Sequence, residues 1–176
     1  MCAGVGVHSG AYARVVLTPG PVDSGIVFVR SDVTDVDNRI PAHADFTGAT
    51  RLGTTLSNAA GIEVATIEHL MAACAGLGID NLVVEVDGPE LPILDGSSAP
   101  FVQVLLNAGV RAQHASQPLI RILEPVEVRM GAKSAALLPA PDSDALELDV
   151  TIRFADPAIG VQRQRLPLTR DIFLTE

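Results

Sequence analysis

The chain has no tryptophan, and its aromatic residues amount to only 3%. Proteins that grip single-stranded nucleic acid stack bases on such rings, so that class is poorly served. Basic residues are scarce too: 12 Lys and Arg stand against 21 Asp and Glu, a net charge of −9. A hold on phosphate backbones depends on cationic side chains, and nucleic acid is therefore not an expected partner. The two cysteines, Cys2 and Cys74, make no disulfide framework. A reducing, cytoplasmic setting is the simplest compartment for them. No run of about eighteen apolar residues exists, so no integral membrane segment is expected. Nor does the start, Met1-Cys2-Ala3-Gly4, have the charged-then-apolar pattern of a signal peptide.

What the chain has in quantity is aliphatic. Hydrophobic residues, mostly Ala, Val, Leu and Ile, make up 48% of its 176 positions, enough to core one domain or one and a part. The stretch around which the rest is organised is residues 63–81. There Ile67, Leu70, Met71 and Cys74 fall at i, i+3, i+4 and i+7, one face of a helix. Thr66 is the expected N-cap and Gly76 the expected stop. Ala72, Ala73 and Ala75 form the other face, small rather than charged, which predicts a helix covered on both sides. Its first turn nonetheless carries Glu68 and His69 side by side.

In chain order, Gly4-Val5-Gly6-Val7-His8-Ser9-Gly10 is a glycine-punctuated turn. Its lone GxG is weak evidence for phosphate binding, since no helix follows. Residues 12–17 alternate as a strand, 19–25 form a Pro/Gly loop and 26–30 a second strand, a predicted hairpin. Residues 31–60 are irregular, with short extended pieces at 39–46 and 50–57 that suggest edge strands or an insert. A turn at 58–61 and a short strand at 62–65 lead into the helix. Leu82, Val84 and Val86 share one face of the strand that follows. Ser97 or Ser98 can cap a second helix with Pro100 in its first turn. That helix buries Phe101, Val104, Leu105 and Ala108 and ends at Gly109. The fold class is α+β, with a first domain over 1–115. A polar stretch at 113–118 marks a boundary, and 116–176 reads as an incomplete second domain of mostly antiparallel strands. Those strands lie at 119–130, 134–138, 145–154 and 161–168, with the start of a helix at 169–176. Their one-sided apolar faces need a cover.

By local sequence, Glu68-His69 has two readings. One is a helix-start carboxylate favoured by the dipole beside a core histidine; the other is a base next to a zinc ligand. The first is the more economical, because a lone pair carries little specificity. His8, His43 and His114 are expected to be solvated or structural, and a metal site from His8, His43 and His69 has no support in spacing. Asp95 and Ser97 look catalytic at first sight, but no base is near in sequence. A tight turn at Gly96 with a Ser cap fits better.

Four motifs, in order, carry a resemblance. They are Gly4-Val5-Gly6-Val7-His8-Ser9-Gly10; Thr66-Ile67-Glu68-His69-Leu70-Met71-Ala72-Ala73; Ala75-Gly76-Leu77-Gly78-Ile79-Asp80-Asn81; and Pro89-Glu90-Leu91-Pro92-Ile93-Leu94-Asp95-Gly96-Ser97-Ser98-Ala99-Pro100-Phe101. Together they resemble the UDP-3-O-acyl-N-acetylglucosamine deacetylases, zinc hydrolases of lipid A synthesis in Gram-negative bacteria. Asp156-Pro157-Ala158-Ile159-Gly160 fits that family's second domain. The resemblance implies two α+β domains, each a sheet with two helices, and a zinc held by two His and one Asp. It makes His69 the first of those ligands and Glu68 the general base, reversing the economical reading above. His8 and Thr55 match positions near the site, without an assigned role. The substrate it implies is a nucleotide-sugar lipid.

The same resemblance puts the remaining ligands, the general-acid His and the acyl-chain passage on sequence after residue 176, and the first strand's beginning before residue 1. It therefore implies a chain lacking most of its zinc site, inactive alone. The alternative is a non-catalytic fragment or binding module. Self-association through uncovered strands at 119–168 is expected of a fragment.

Overall fold

The computed structural model describes residues 1–117, 119–140 and 146–175. The fold is α+β and divides into two units, Met1–Ser116 and Gln117–Glu176. In the first, eight elements precede the second helix: β1 (Cys2–Val5), β2 (Tyr12–Pro19), β3 (Ile26–Arg30), β4 (Arg39–Pro41), β5 (Leu56–Ser57), β6 (Glu63–Val64), α1 (Glu68–Leu77) and β7 (Leu82–Val86). A short 3-10 turn at Ala44–Phe46 follows β4, and α2 (Ala99–Ala108) closes the unit's regular structure.

Five strands make one sheet in the order β1-β2-β7-β3-β4. The predicted hairpin between β2 and β3 does not form. Strand β7 lies between them, antiparallel to β2 and parallel to β3. The reason lies in the 20–25 loop, which wraps the start of β7. Gly20 N donates to the Asn81 carbonyl, Gly25 N to Asn81 Oδ1 and Leu82 N to the Gly25 carbonyl. Gly20 sits so close that a Cβ there would fall 2.8 Å from Leu82 N. Leu82, Val84 and Val86, on one face as alternation requires, are buried in the central strand. The short pieces at 39–46 and 50–57 resolve into edge strand β4, the 3-10 turn, and the β5–β6 hairpin around the 58–61 turn.

Both helices share one apolar core with the sheet: Leu70, Cys74, Leu77, Phe101 and Leu105 pack with Val15, Phe28, Val84 and Val86. Helix α1 buries the expected face, with Ile67, Leu70 and Cys74 buried and Met71 packed against the core, and it turns Ala73 inward as well. Leu77 is buried beside them, whereas Ala72 and Ala75 are exposed. Its bounds differ from those expected. Ile67 occupies the N-cap without a side-chain bond, and Gly76 lies inside the helix. Gly78 ends it, at φ 67 and ψ 40, a left-handed geometry that glycine adopts without a Cβ penalty. In α2, Ser98 is the N-cap with Pro100 in the first turn, Phe101 and Leu105 are buried, and Gly109 is the C-cap. Val104 is half-buried, and Ala108, expected in the stripe, is exposed.

The second unit holds two separate antiparallel ribbons, β8 (Val126–Met130) with β9 (Lys133–Leu137) and β10 (Leu146–Arg153) with β11 (Val161–Leu168), then α3 (Arg170–Thr175). The extended piece expected over 119–130, with a break near Pro125, is a strand from Val126 to Met130. Of the predicted strand at 145–154, residue 145 lies outside the described residues, as do Pro118 in the predicted boundary and Glu176 in the predicted helix. None of the described residues of this unit is buried. Along β10 and β11, Leu146, Leu148, Val150 and Ile152 oppose Leu168, Leu166, Gln164 and Gln162 on one face. Arg163 pairs with Asp149 and Arg165 with Glu147 on the other. Among the described residues no helix is long and apolar enough to cross a membrane.

Candidate functional site

Glu68 and His69 open α1, and both are half-buried. The chain reaches them through Thr66, whose φ of 59 is unusual for a β-branched residue. Thr66 does not cap the helix. Its hydroxyl donates to Glu90 Oε1 at 3.0 Å. Glu68 is instead held from the side, where Thr54 N donates to its Oε2 at 3.0 Å. The 54 segment is itself tied back, because Ile67 N donates to the Thr54 carbonyl at 3.3 Å.

His8 comes from the other end of the sequence. Its Nε2 lies 3.0 Å from the Leu52 carbonyl oxygen. A carbonyl only accepts, so Nε2 carries the proton. Gly53 lies between His8 and Glu68. A methyl group placed on it would fall 3.3 Å from Glu68 Oε1, 3.5 Å from His8 Nε2 and 3.8 Å from Thr66 Oγ1. A carboxylate and an imidazole thus both come close to this glycine.

Under this arrangement lies Glu90, buried at 4% exposure. Its Oε1 accepts from His8 N at 3.0 Å and from Thr66 Oγ1, and its Oε2 accepts from Ser9 N at 2.7 Å. Burial on its own would raise the Glu90 carboxyl, but the bonds from Ser9, His8 and Thr66 outweigh it and hold the pKa down to about 2. Gly6 makes room for this carboxylate: a Cβ there would meet Oε2 at 2.4 Å. The GxG turn is therefore shaped around the protein's own anion.

Asp95 accepts from Ser97 N and Ser97 Oγ at 2.9 and 2.8 Å, with Gly96 at φ 84, the tight turn expected before α2. Ser97 holds the Asp95 carboxyl below its usual range. His43 is occupied locally: its Nδ1 accepts from Asp45 N at 3.3 Å. His114 is exposed, and Thr55 is half-buried with its backbone bonded to Gly48 and Ala49. A zinc, as the resemblance implies, needs three protein donors and an open position. Among the described residues no group of three His, Cys, Asp or Glu side chains is placed to hold a metal, the trio His8, His43 and His69 included. The residues described here do not by themselves make such a site.

Glu90, Thr54 and Gly53 carry no local mark that singles them out in the sequence. Glu90 falls within a motif that carried the resemblance, but its partners lie 24 to 82 positions away.

A carboxylate held by a backbone amide and close to an imidazole is equipment for general acid–base chemistry. The family model for UDP-3-O-acyl N-acetylglycosamine deacetylase matches residues 1–176. A relative named UDP-3-O-acyl-N-acetylglucosamine deacetylase from Phenylobacterium zucineum is 55% identical over 174 residues, covering 99% of this chain and 58% of that one. One of the same name from Anaeromyxobacter sp. is 46% identical over 99% of this chain and 55% of its own length. A third, from Idiomarina loihiensis, is 47% identical over 89% and 50%. The chain belongs to the UDP-3-O-acyl N-acetylglycosamine deacetylase family. It spans a little over half the length of the curated relatives it matches most fully.

Proposed function

We propose that the protein removes the N-acetyl group from UDP-3-O-acyl-N-acetylglucosamine in the cytoplasm, a step toward lipid A, with a zinc ion as cofactor. Glu68 is the general base and His69 one metal ligand. The observation that carries this reading is the fixing of the Glu68 carboxylate by Thr54 N, with Oε1 turned toward Gly53 and His8. A base held in one orientation can take a proton from water as that water adds to the amide carbonyl carbon. The C–N bond then breaks, the nitrogen takes up a proton, and acetate and a free amine result. His69 alone does not complete a zinc site.

The activity is assigned to the whole protein. Residues 1–176 on their own are expected neither to bind zinc tightly nor to turn over substrate. A zinc titration of this chain at neutral pH tests the first point; tight stoichiometric binding would overturn it. An assay of amine release by the whole protein tests the second. Glu68→Gln should lower kcat by roughly 10²–10⁴-fold with KM little changed; an unchanged kcat removes Glu68 from the chemistry.

A second reading, of a fragment that binds without catalysis, is favoured by one observation, the uncovered second unit. Leu146, Val150, Ile152 and Phe154 are all more than 40% exposed. Such a face favours self-association of this chain.

A further inference from the structure

We propose that Glu90 is a positioning residue: its carboxylate ties the His8 turn to the entry of α1 and so sets His8 against Glu68. This rests on reading Glu68 and His8 as parts of the site. Three donors converge on Glu90: the amides of His8 and Ser9 and the hydroxyl of Thr66. Two of them fix the turn that carries the His8 ring. The third belongs to the residue two places before Glu68. Backbone bonds brace the same junction, since Ala65 N donates to the Pro89 carbonyl at 2.8 Å and Leu91 N to the Ala65 carbonyl at 3.1 Å. The turn itself is closed by Gly6 N to the Ala11 carbonyl and Gly10 N to the Gly6 carbonyl. It is otherwise exposed from Val7 to Ala11, so its attachment to the rest of the unit depends on Glu90 and on the His8–Leu52 contact. Gly6, which has room for no side chain against Oε2, is the sequence's accommodation of that attachment.

A carboxylate accepts on both oxygens, whereas a carboxamide accepts on one and donates from the other. Glu90→Gln keeps the shape but forces a donor against a donor, either at Ser9 N or at His8 N. The positions of His8 and Glu68 can be read without catalysis. His8 in the Nε2–H form, held to the Leu52 carbonyl, gives a single-tautomer pattern in ¹H–¹⁵N spectra. The Thr54 amide reports on Glu68.

In the unaltered chain the expected result is one His8 tautomer and slow exchange at the His8 and Ser9 amides. A mixed tautomer there would already overturn the proposal. In Glu90→Gln, His8 should turn to mixed tautomers, and exchange at Ser9 and Thr54 should quicken by about ten-fold, the equivalent of one hydrogen bond. Thr66→Val, which removes a single bond at constant shape, should move the same signals less and serves should Glu90→Gln not fold. A folded variant whose Ser9 amide changes while the His8 tautomer and Thr54 stay fixed makes Glu90 a local brace and sinks the idea. If these signals move as expected while Glu68→Gln leaves deacetylation untouched, the positioning stands and the catalytic reading falls.

Discussion

At Glu90, hydrogen bonding wins over burial, and this has a consequence for stability. The carboxyl is lowered from 4.5 to about 2 in the folded chain. A depressed carboxyl stabilises the fold fully above its unfolded pKa and loses that contribution as pH falls through the folded one. The loss should run from about pH 4.5 down to about 2 and amount to about 3 kcal/mol. Urea unfolding followed from neutral to acid pH should find wild type more stable than Glu90→Gln at neutral pH, with the gap closing across that window. A gap independent of pH would refute the assignment. Cys74 illustrates the opposite balance. It is 1% exposed, and burial pushes its thiol up to about 12, far from the thiolate that reacts. A disulfide reagent at neutral pH should label Cys2, which is half-buried, well before Cys74. Equal rates for the two would contradict the packing of α1.

Helix α1 begins at Glu68 because the bonds around it favour that point over Thr66. A Thr66 at positive φ, with its hydroxyl on Glu90, has no side chain left to cap the helix, and a strained entry of this kind persists only where neighbours hold it. The helix is anchored by its core face. Leu70 is fully buried against sheet and helix residues of one cluster. Leu70→Ala should therefore cost about 2–5 kcal/mol, whereas Ala72 and Ala75, on the exposed side, should tolerate Ser with little change. Denaturant midpoints of the three variants would check which face is packed; a loss at Ala72 comparable to that at Leu70 would mean that the small face is covered as well.

Across the whole molecule, the two units differ in how much they bury. Among the described residues, the buried apolar ones all belong to residues 1–116. The apolar face of β10 and β11 carries a further prediction. The chain should associate with rising concentration, and replacing Val150 and Ile152, exposed at 49% and 50%, with Lys should reduce this by like-charge repulsion and lost apolar area. Light scattering across a concentration series measures it. A monomer at all concentrations in the unaltered chain would remove the self-association reading.

The sequence by itself determined the local elements: the strand at Leu82–Val86, the helix around Leu70 and Cys74, α2 from Ser98 to Gly109, and the second unit's strands. Each follows from a period of two or of 3.6 residues, or from a proline or glycine, within a short window. It also put Glu68 and His69 in one helical turn, and four motifs together carried the family. Only the tertiary structure decided that β7 enters between β2 and β3, that α1 turns Ala73 inward, and that Glu90 gathers His8, Ser9 and Thr66. Those outcomes rest on bonds between residues 24 to 82 positions apart. No local window holds both partners of such a bond, so periodicity and propensity carry no trace of it.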